Sequence, residues 1–319
     1  MNVIEGLEAI VHPFGQSTVA IGSFDGVHLG HQAIIRNAVE DARLHDRTAL
    51  VFTFDRHPAE LLRPAVAPAM LCTPAQRNGL IEACGPDDLV IARFDLDLAE
   101  MLPDEFMQRI LKDLLGARAI VEGVNFYFGR GRAGDLAYLR AAQSRFDFTL
   151  RALEPVLVGG AAASSTRVRE RLAVGDIAEA ESVLGHTFLL SGRVVSGQHL
   201  GRQLGYPTAN LAPTHRQVVP GDGIYAVYAH LDDGRVLSGA CSIGNRPTIE
   251  GAGRSIETFF IDFDEDIYGR QIELQFVQLL RGEEKFDSLD DLVAQMALDV
   301  EQARGILQET CKGTAIARP

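Results

Sequence analysis

Ten consecutive residues, Gly22-Ser-Phe-Asp-Gly-Val-His28-Leu-Gly-His31, bring two imidazoles, a carboxylate and three glycines together directly after the apolar run 18–21. Glycines let a strand turn tightly into a helix, and the start of that helix carries unpaired N–H groups and the positive end of its dipole. His28 and His31 therefore flank a pocket suited to phosphate, with Gly22, Phe24, Asp25 and Gly30 around it. The H-x-x-H spacing alone also fits a metal pair or two ordinary surface histidines. Its place between a β-run and a helix favours nucleotidyl transfer.

A second constellation runs Gly197-Gln-His-Leu-Gly201-Arg-Gln-Leu-Gly205-Tyr-Pro-Thr208-Ala-Asn210-Leu. Its glycines permit close backbone approach to a ligand. Thr208 and Asn210, two apart on an extended segment, project oxygens to one side, and such hard donors suit Mg²⁺ beside nucleotide phosphates. An ordinary turn would read the same way. Two further segments belong with the first motif. Gly123-Val-Asn125-Phe-Tyr-Phe-Gly129 precedes a basic, glycine-rich loop through Asp135, with Asn125 the better ligand contact and Phe126 and Phe128 better suited to the core. Ser164-Ser165-Thr166-Arg167-Val-Arg169 opens a helix, where hydroxyls serve as caps or hold anions. His57, in Phe-Asp-Arg-His-Pro, suits either a site-lining or a structural role.

The elements that must position these groups are of two kinds. Short apolar runs at 18–21, 49–54, 89–92, 119–122 and 148–153 alternate with helical patterns at 31–44, 74–84, 103–115 and 135–144. That alternation predicts a parallel, doubly wound α/β sheet whose ligand lies beyond the carboxyl ends of its strands, where the first motif falls. Two short helical patterns, 166–172 and 177–184, follow. From Phe188 the runs 193–195, 224–230, 236–242, 256–261 and 272–280 are separated only by turns, which predicts an antiparallel sheet or small barrel. Leu289, Leu292, Val293, Met296, Val300, Ala303 and Leu307 then mark one face of a packing helix. Two domains are expected, 1–185 and 186–319.

The first motif resembles the signature of the nucleotidyltransferase superfamily, and its wording is similar to that of bacterial bifunctional riboflavin kinase/FAD synthetases. The string from Gly201 to Leu211 resembles the riboflavin kinase signature, and Gly223-Ile-Tyr-Ala, Gly244-Asn-Arg-Pro-Thr248, Glu257, Tyr268-Gly269, Arg281, Glu283 and Phe286 follow in the family's order. The chain departs from the family at Arg56, Phe259 and Gly282, which stand where proline, histidine and proline are usual. The resemblance implies a Rossmann-like nucleotidyltransferase module followed by a β-barrel riboflavin kinase module with a terminal helix. It implies riboflavin, FMN and ATP as substrates, FMN and FAD as products, and Mg²⁺ as cofactor. It gives His28, His31 and Arg169 to catalysis of adenylyl transfer, Asn125, Ser165 and Thr166 to the nucleotide, and Asn125, Arg281 and Glu283 to flavin. Gly201, Gly205, Thr208 and Asn210 go to the second nucleotide and its metal, and Glu257 becomes general base for the riboflavin hydroxyl. A transferase for another phosphorylated small molecule, or a flavin-binding protein without turnover, are the rival readings.

Composition bounds the rest. A length of 319 residues with 46% hydrophobic content supports two cores, and a net charge of −13 argues against nucleic-acid or membrane-surface partners. Any anion must then be held by a local cluster of donors. Four cysteines without a C-x-x-C pair suggest neither zinc nor disulfides, and no apolar run approaches membrane-spanning length, so a cytoplasmic enzyme is expected. A monomer and a transient homo-oligomer both fit.

Overall fold

A computed structural model describes residues 1–197, 204–245 and 254–313. These form two compact units, Met1–Pro68 with Pro74–Ser164, and Ala69–Thr73 with the chain from Ser165 onward.

The first unit is built on β1 (Asn2–Glu5), β2 (Ser17–Ile21), β3 (Thr48–Phe54), β4 (Asp88–Ala92), β5 (Ala117–Gly123) and β6 (Thr149–Leu153). All pairings are parallel, in the order β1-β4-β3-β2-β5-β6. Strands covered on both faces must be apolar throughout, and Val19, Leu50, Phe52, Val90 and Ile120 are fully buried. Helices α1 (Leu29–Leu44), α2 (Pro58–Leu62), α3 (Pro74–Glu82) and α4 (Leu136–Phe146) lie between strands, as does a π-helical segment, Phe106–Leu114. That segment is read from sequence as ordinary helix because its apolar spacing is the same; the difference is the hydrogen-bond register, with Leu115 N–H reaching the Ile110 carbonyl. The edge strand β1 has no sequence signal, since three of its four residues are exposed and need no apolar alternation, and the five-residue helix α2 is too short to show a period. Successive strands are added to one side of β2 through β3 and β4 and to the other through β5, and the carboxyl ends of β2 and β5 form a crevice at that switch point.

The second unit begins with α5 (Ser165–Ala173) and α6 (Ile177–Leu184). Six strands follow: β7 (Leu189–Val195), β8 (Thr208–Pro213), β9 (Gly223–Leu231), β10 (Val236–Asn245), β11 (Arg254–Phe260) and β12 (Gln271–Arg281). They close into an antiparallel barrel, β7-β8-β11-β10-β9-β12, and closure leaves no unpaired edge. Helix α7 (Leu289–Gly313) lies on the barrel through Val300, Ala303 and Leu307. Leu289, expected on the same stripe, is 60% exposed, because the helix closes on the barrel only from its middle, where Arg281 holds the buried Asp299 through two hydrogen bonds of 2.9 and 2.7 Å.

The compact units divide two helices earlier than the expected 185/186 junction. Helices α5 and α6 pack with the barrel: Gly221 N–H donates to the Leu172 carbonyl, and a Cβ on Gly175 would fall 2.8 Å from Leu279. Glu181 accepts the Phe188 N–H at 2.8 Å, and burial pushes its carboxyl up to about 7. The segment Ala69–Thr73 joins this unit as well. Met70 bridges Gln217 in parallel, and the buried Gln217 amide donates to the carbonyls of Leu189 and Leu71.

Candidate active sites

In the first unit, β2 ends at Ile21 and the chain reaches α1 through a tight turn over residues 22–28. Gly22 N–H stays in the sheet, donating to Phe52, and a Cβ on Gly22 would press on the Phe24 ring at 3.2 Å. Phe24 and Val27 hold positive φ of 47° and 37°, unusual for side-chain-bearing residues and most of all for a β-branched one. Asp25 is buried. His28 is the N-cap of α1, accepting the His31 N–H at 3.4 Å. The two imidazoles stack with centroids 3.6 Å apart, and the Phe24 ring meets His31 edge-on at 5.3 Å. Gly30 suits this packing, since a Cβ there would lie 3.1 Å from the His28 ring and push it by a few tenths of an ångström. His31 Nδ1 is buried without a hydrogen-bond partner among the described residues. Burial first, and the neighbouring His28 second, hold the His31 imidazole well below the usual histidine range. His31 is therefore held as a neutral imidazole, stacked on His28 at a helix start of the kind that suits an anion.

These rings open into a cleft of about 1050 Å³ at the β2–β5 crevice. Gly22, Phe24, Gly30, Asn125 and the Phe126–Arg132 segment line it. Asn125 is exposed to the cleft, whereas Phe128 is buried in the core and Phe126 stacks on it at 5.5 Å, as expected for that pair. His57 combines both roles weighed for it. It lines the cleft, and its ring accepts the Ala59 N–H while Glu60 accepts the His57 N–H, a capping box for α2.

Sequence reasoning passed over Glu122. It lies at the end of β5, 2% exposed, and takes the Ile21 N–H at 2.7 Å where the β2–β5 ladder has run out at Ala20 and Val121. A side chain thus replaces a main-chain acceptor at the floor of the cleft. Nothing in the sequence separates this glutamate from a solvated strand end. Burial raises its carboxyl well above the ordinary 4.5, against the N–H groups of Ile21 and Gly123. The unfolded chain binds that proton less tightly, so the native state loses stability as pH rises above 4.5. Glu122→Gln keeps an acceptor without this cost; thermal unfolding should show the variant ahead of the parent at neutral pH, with the gap closing in acid.

Ser165, Thr166 and Arg169 open α5 and belong to the second unit, where Arg169 Nε donates to the Ala69 carbonyl at 2.8 Å.

In the barrel, Thr208 and Asn210 lie two apart on β8, opposite Phe259 and Glu257 of β11. Thr208 Oγ1 donates to Glu257 Oε2 at 3.2 Å. Across the next pairing Glu257 faces Ser242 of β10, so Asn210, Glu257 and Ser242 form one row on three strands. Ser242 had no sequence signal of its own. A Cβ on Gly197 would collide with the Asn210 amide, so the backbone at Gly197, just past β7, lies directly against this row. Gly205 has a φ of 85°, which suits glycine; Gly201 and the 246–248 part of the Asn-Arg-Pro-Thr motif lie outside the described residues. The exposed Glu283 reaches back over Gly244, where any Cβ would strike its carboxylate. Arg281 is held by Asp299 and also lies 5.8 Å from the Phe286 ring. Among the described residues no three His, Cys, Asp or Glu side chains cluster. A metal here would take the hydroxyl and amide oxygens of Thr208 and Asn210, hard donors that fit Mg²⁺, with the Glu257 carboxylate beside them.

Comparison with known proteins supplies names for both regions. An FAD synthetase profile matches residues 12–167 and a riboflavin kinase profile matches residues 184–307. The chain is 37% identical over 304 residues to the bifunctional riboflavin kinase/FMN adenylyltransferase of Haemophilus influenzae, covering 95% of this chain and 98% of that one. It is 38% identical to the protein of the same description from Pseudomonas fluorescens, covering 96% and 98%. Among solved structures, a Streptococcus pneumoniae protein titled a macrolide-efflux protein superposes with a TM-score of 0.83 at 31% identity, covering 95% of this chain and 99% of that one.

Proposed function

The chain belongs to the bifunctional riboflavin kinase/FMN adenylyltransferase family, and from that premise we propose how its residues divide the two reactions. The enzyme phosphorylates riboflavin with ATP to FMN and adenylylates FMN with ATP to FAD and pyrophosphate. Adenylyl transfer is placed in the cleft of the first unit. The observation that carries this is the stacked His28–His31 pair at the start of α1, with a buried His31 ring nitrogen that has no partner among the described residues.

There an FMN phosphate oxygen attacks the α-phosphorus of ATP in line, a new P–O bond forms, and the bond to the β-phosphate oxygen breaks to release pyrophosphate. The two imidazoles and the α1 N–H groups take up the charge that shifts to the leaving group, so no covalent enzyme intermediate is needed. Gly22, Phe24, Asp25 and Gly30 shape the turn, Asn125 contacts nucleotide or flavin, and Ser165, Thr166 and Arg169 are given to the phosphates by the family's motif.

Riboflavin phosphorylation is placed on the barrel. Glu257 receives the proton of the primary hydroxyl as that oxygen attacks the γ-phosphorus, and ADP leaves. Thr208 and Asn210 would hold Mg²⁺, which lowers the repulsion between the phosphates and the incoming oxygen when bound. Gly201 and Gly205 would let the backbone approach the nucleotide, and Glu283 and Arg281 border the flavin. The buried thiols of Cys72, Cys84 and Cys241 suit a reducing cytoplasm, and no described helix is long and apolar enough to cross a membrane.

Incubation with riboflavin, ATP and Mg²⁺ followed by chromatography should yield FMN and then FAD; neither product, or bound riboflavin alone, would count against the reading. A cut tests the division of labour. A fragment from Ser165, supplied with helices α5 and α6, is expected to retain riboflavin kinase activity and to unfold at a higher temperature than one from His186, which exposes Leu279 and leaves the Phe188 N–H without Glu181. Equal midpoints would show that the two helices do not support the barrel.

A further inference from the structure

FAD formation must bring two phosphates together. The triphosphate is served by His28, His31 and the helix start, but FMN carries its own phosphate dianion, and a chain of net charge −13 offers no general attraction to it. The cleft wall itself carries Glu100, Glu122 and Glu154 against three arginines, Arg63, Arg130 and Arg132. Arg130 is engaged, 3.8 Å from Glu100. Arg132 has no carboxylate partner among the described residues, and its guanidinium sits over the Tyr127 ring at 4.1 Å, on a tyrosine that is 48% exposed.

The backbone reinforces the point. Arg132 has a φ of 62°, in the left-handed region that side chains other than glycine occupy at a cost, and it follows Gly129 and Gly131 at 70° and 63°. This turn, set between the paired segments Tyr127–Phe128 and Gly134–Asp135, places a guanidinium at the cleft wall with no hydrogen-bond partner among the described residues. A guanidinium fork gives two parallel hydrogen bonds to a phosphate, and a ring beneath it limits the rotamers it must give up on binding.

We propose that Arg132, propped on Tyr127, receives the phosphate of FMN and thereby makes the adenylyl-transfer cleft select a phosphorylated flavin. This rests on the cleft being the adenylyltransferase site. A charge-assisted pair of this kind predicts a KM for FMN about 10- to 100-fold higher in Arg132→Ala.

The test is FAD formation by the full-length chain with FMN varied at saturating ATP. Lumiflavin, which lacks the ribityl chain and so cannot be phosphorylated, serves as competitive inhibitor. Arg132→Ala should raise KM for FMN while leaving the lumiflavin Ki, the KM for ATP and riboflavin phosphorylation as they were; Arg132→Lys should recover part of the loss, and Tyr127→Ala should show a smaller rise. An unchanged KM in Arg132→Ala overturns the proposal. So does a lumiflavin Ki that climbs in step with KM, which would mean the loop had collapsed, or a KM defect in Arg63→Ala with none in Arg132→Ala. Wild-type enzyme that makes no FAD from FMN would instead overturn the reading of the cleft itself.

Discussion

Replacing His31 by alanine is expected to lower FAD formation from FMN by about 100- to 1000-fold, the loss that follows removal of one preorganised donor from a charge-stabilising site. His28→Ala should fall in the same range and add helix instability, because its ring also caps α1. Riboflavin phosphorylation in either variant should match the parent, since the barrel row is built from other strands. His31 is held well below the usual histidine range by burial and by His28, so it works as a neutral donor at and above neutral pH. The parent-to-variant ratio should therefore stay flat on the alkaline side. Conversely, the native state must keep this ring unprotonated, so stability present above the ordinary histidine value of 6.5 is lost as pH falls through the lower native one. FAD formation by His31→Ala at the parental rate, with FMN formation also normal, would sink the assignment of the cleft.

The second large effect belongs to Glu257. Its glutamine variant keeps the shape and can still accept the Thr208 hydroxyl hydrogen bond, found at 3.2 Å, but cannot take a proton. Loss of a general base costs about 100- to 10,000-fold in the chemical step, so riboflavin phosphorylation should drop by that order in kcat with little change in KM for riboflavin. FAD formation from supplied FMN should continue unchanged, which separates a chemical lesion from a misfolded barrel. Thr208→Ala and Asn210→Ala are expected to act differently, by raising the Mg²⁺ concentration needed for half-maximal rate. Glu257→Gln turning over riboflavin as fast as the parent would remove Glu257 from the proton's path.

Much of this was legible in the residues. Alternating apolar and helical runs announced the parallel sheet, because strands buried on both faces and amphipathic helices differ in period. The switch to turn-separated runs after Phe188 announced the barrel. The histidine motif and the Thr208–Asn210 pair could be picked out because their chemistry is concentrated within a few residues. Other features had no such local signature. The β1 edge strand pairs only with β4, some 86 residues away, and its exposed residues carry no pattern. Ser242 enters the barrel row only through strand register. Ala69–Thr73 joins the second unit through its own main-chain groups, which carry no sequence signal and are met by distant partners such as Arg169 and Gln217.

The sequence by itself determined which groups are present and which short segments keep them together: the imidazole pair, the hydroxyl and amide on one strand, and the glycines that let backbone approach a ligand. Tertiary structure alone decided that Glu122 is buried under the cleft, that a buried His31 ring nitrogen has no partner among the described residues, and that Asn210, Glu257 and Ser242 share a row. The physical reason is that donor and acceptor types are properties of single residues, whereas solvation and proton affinity depend on what the rest of the chain excludes or brings near, and those neighbours are distant in sequence.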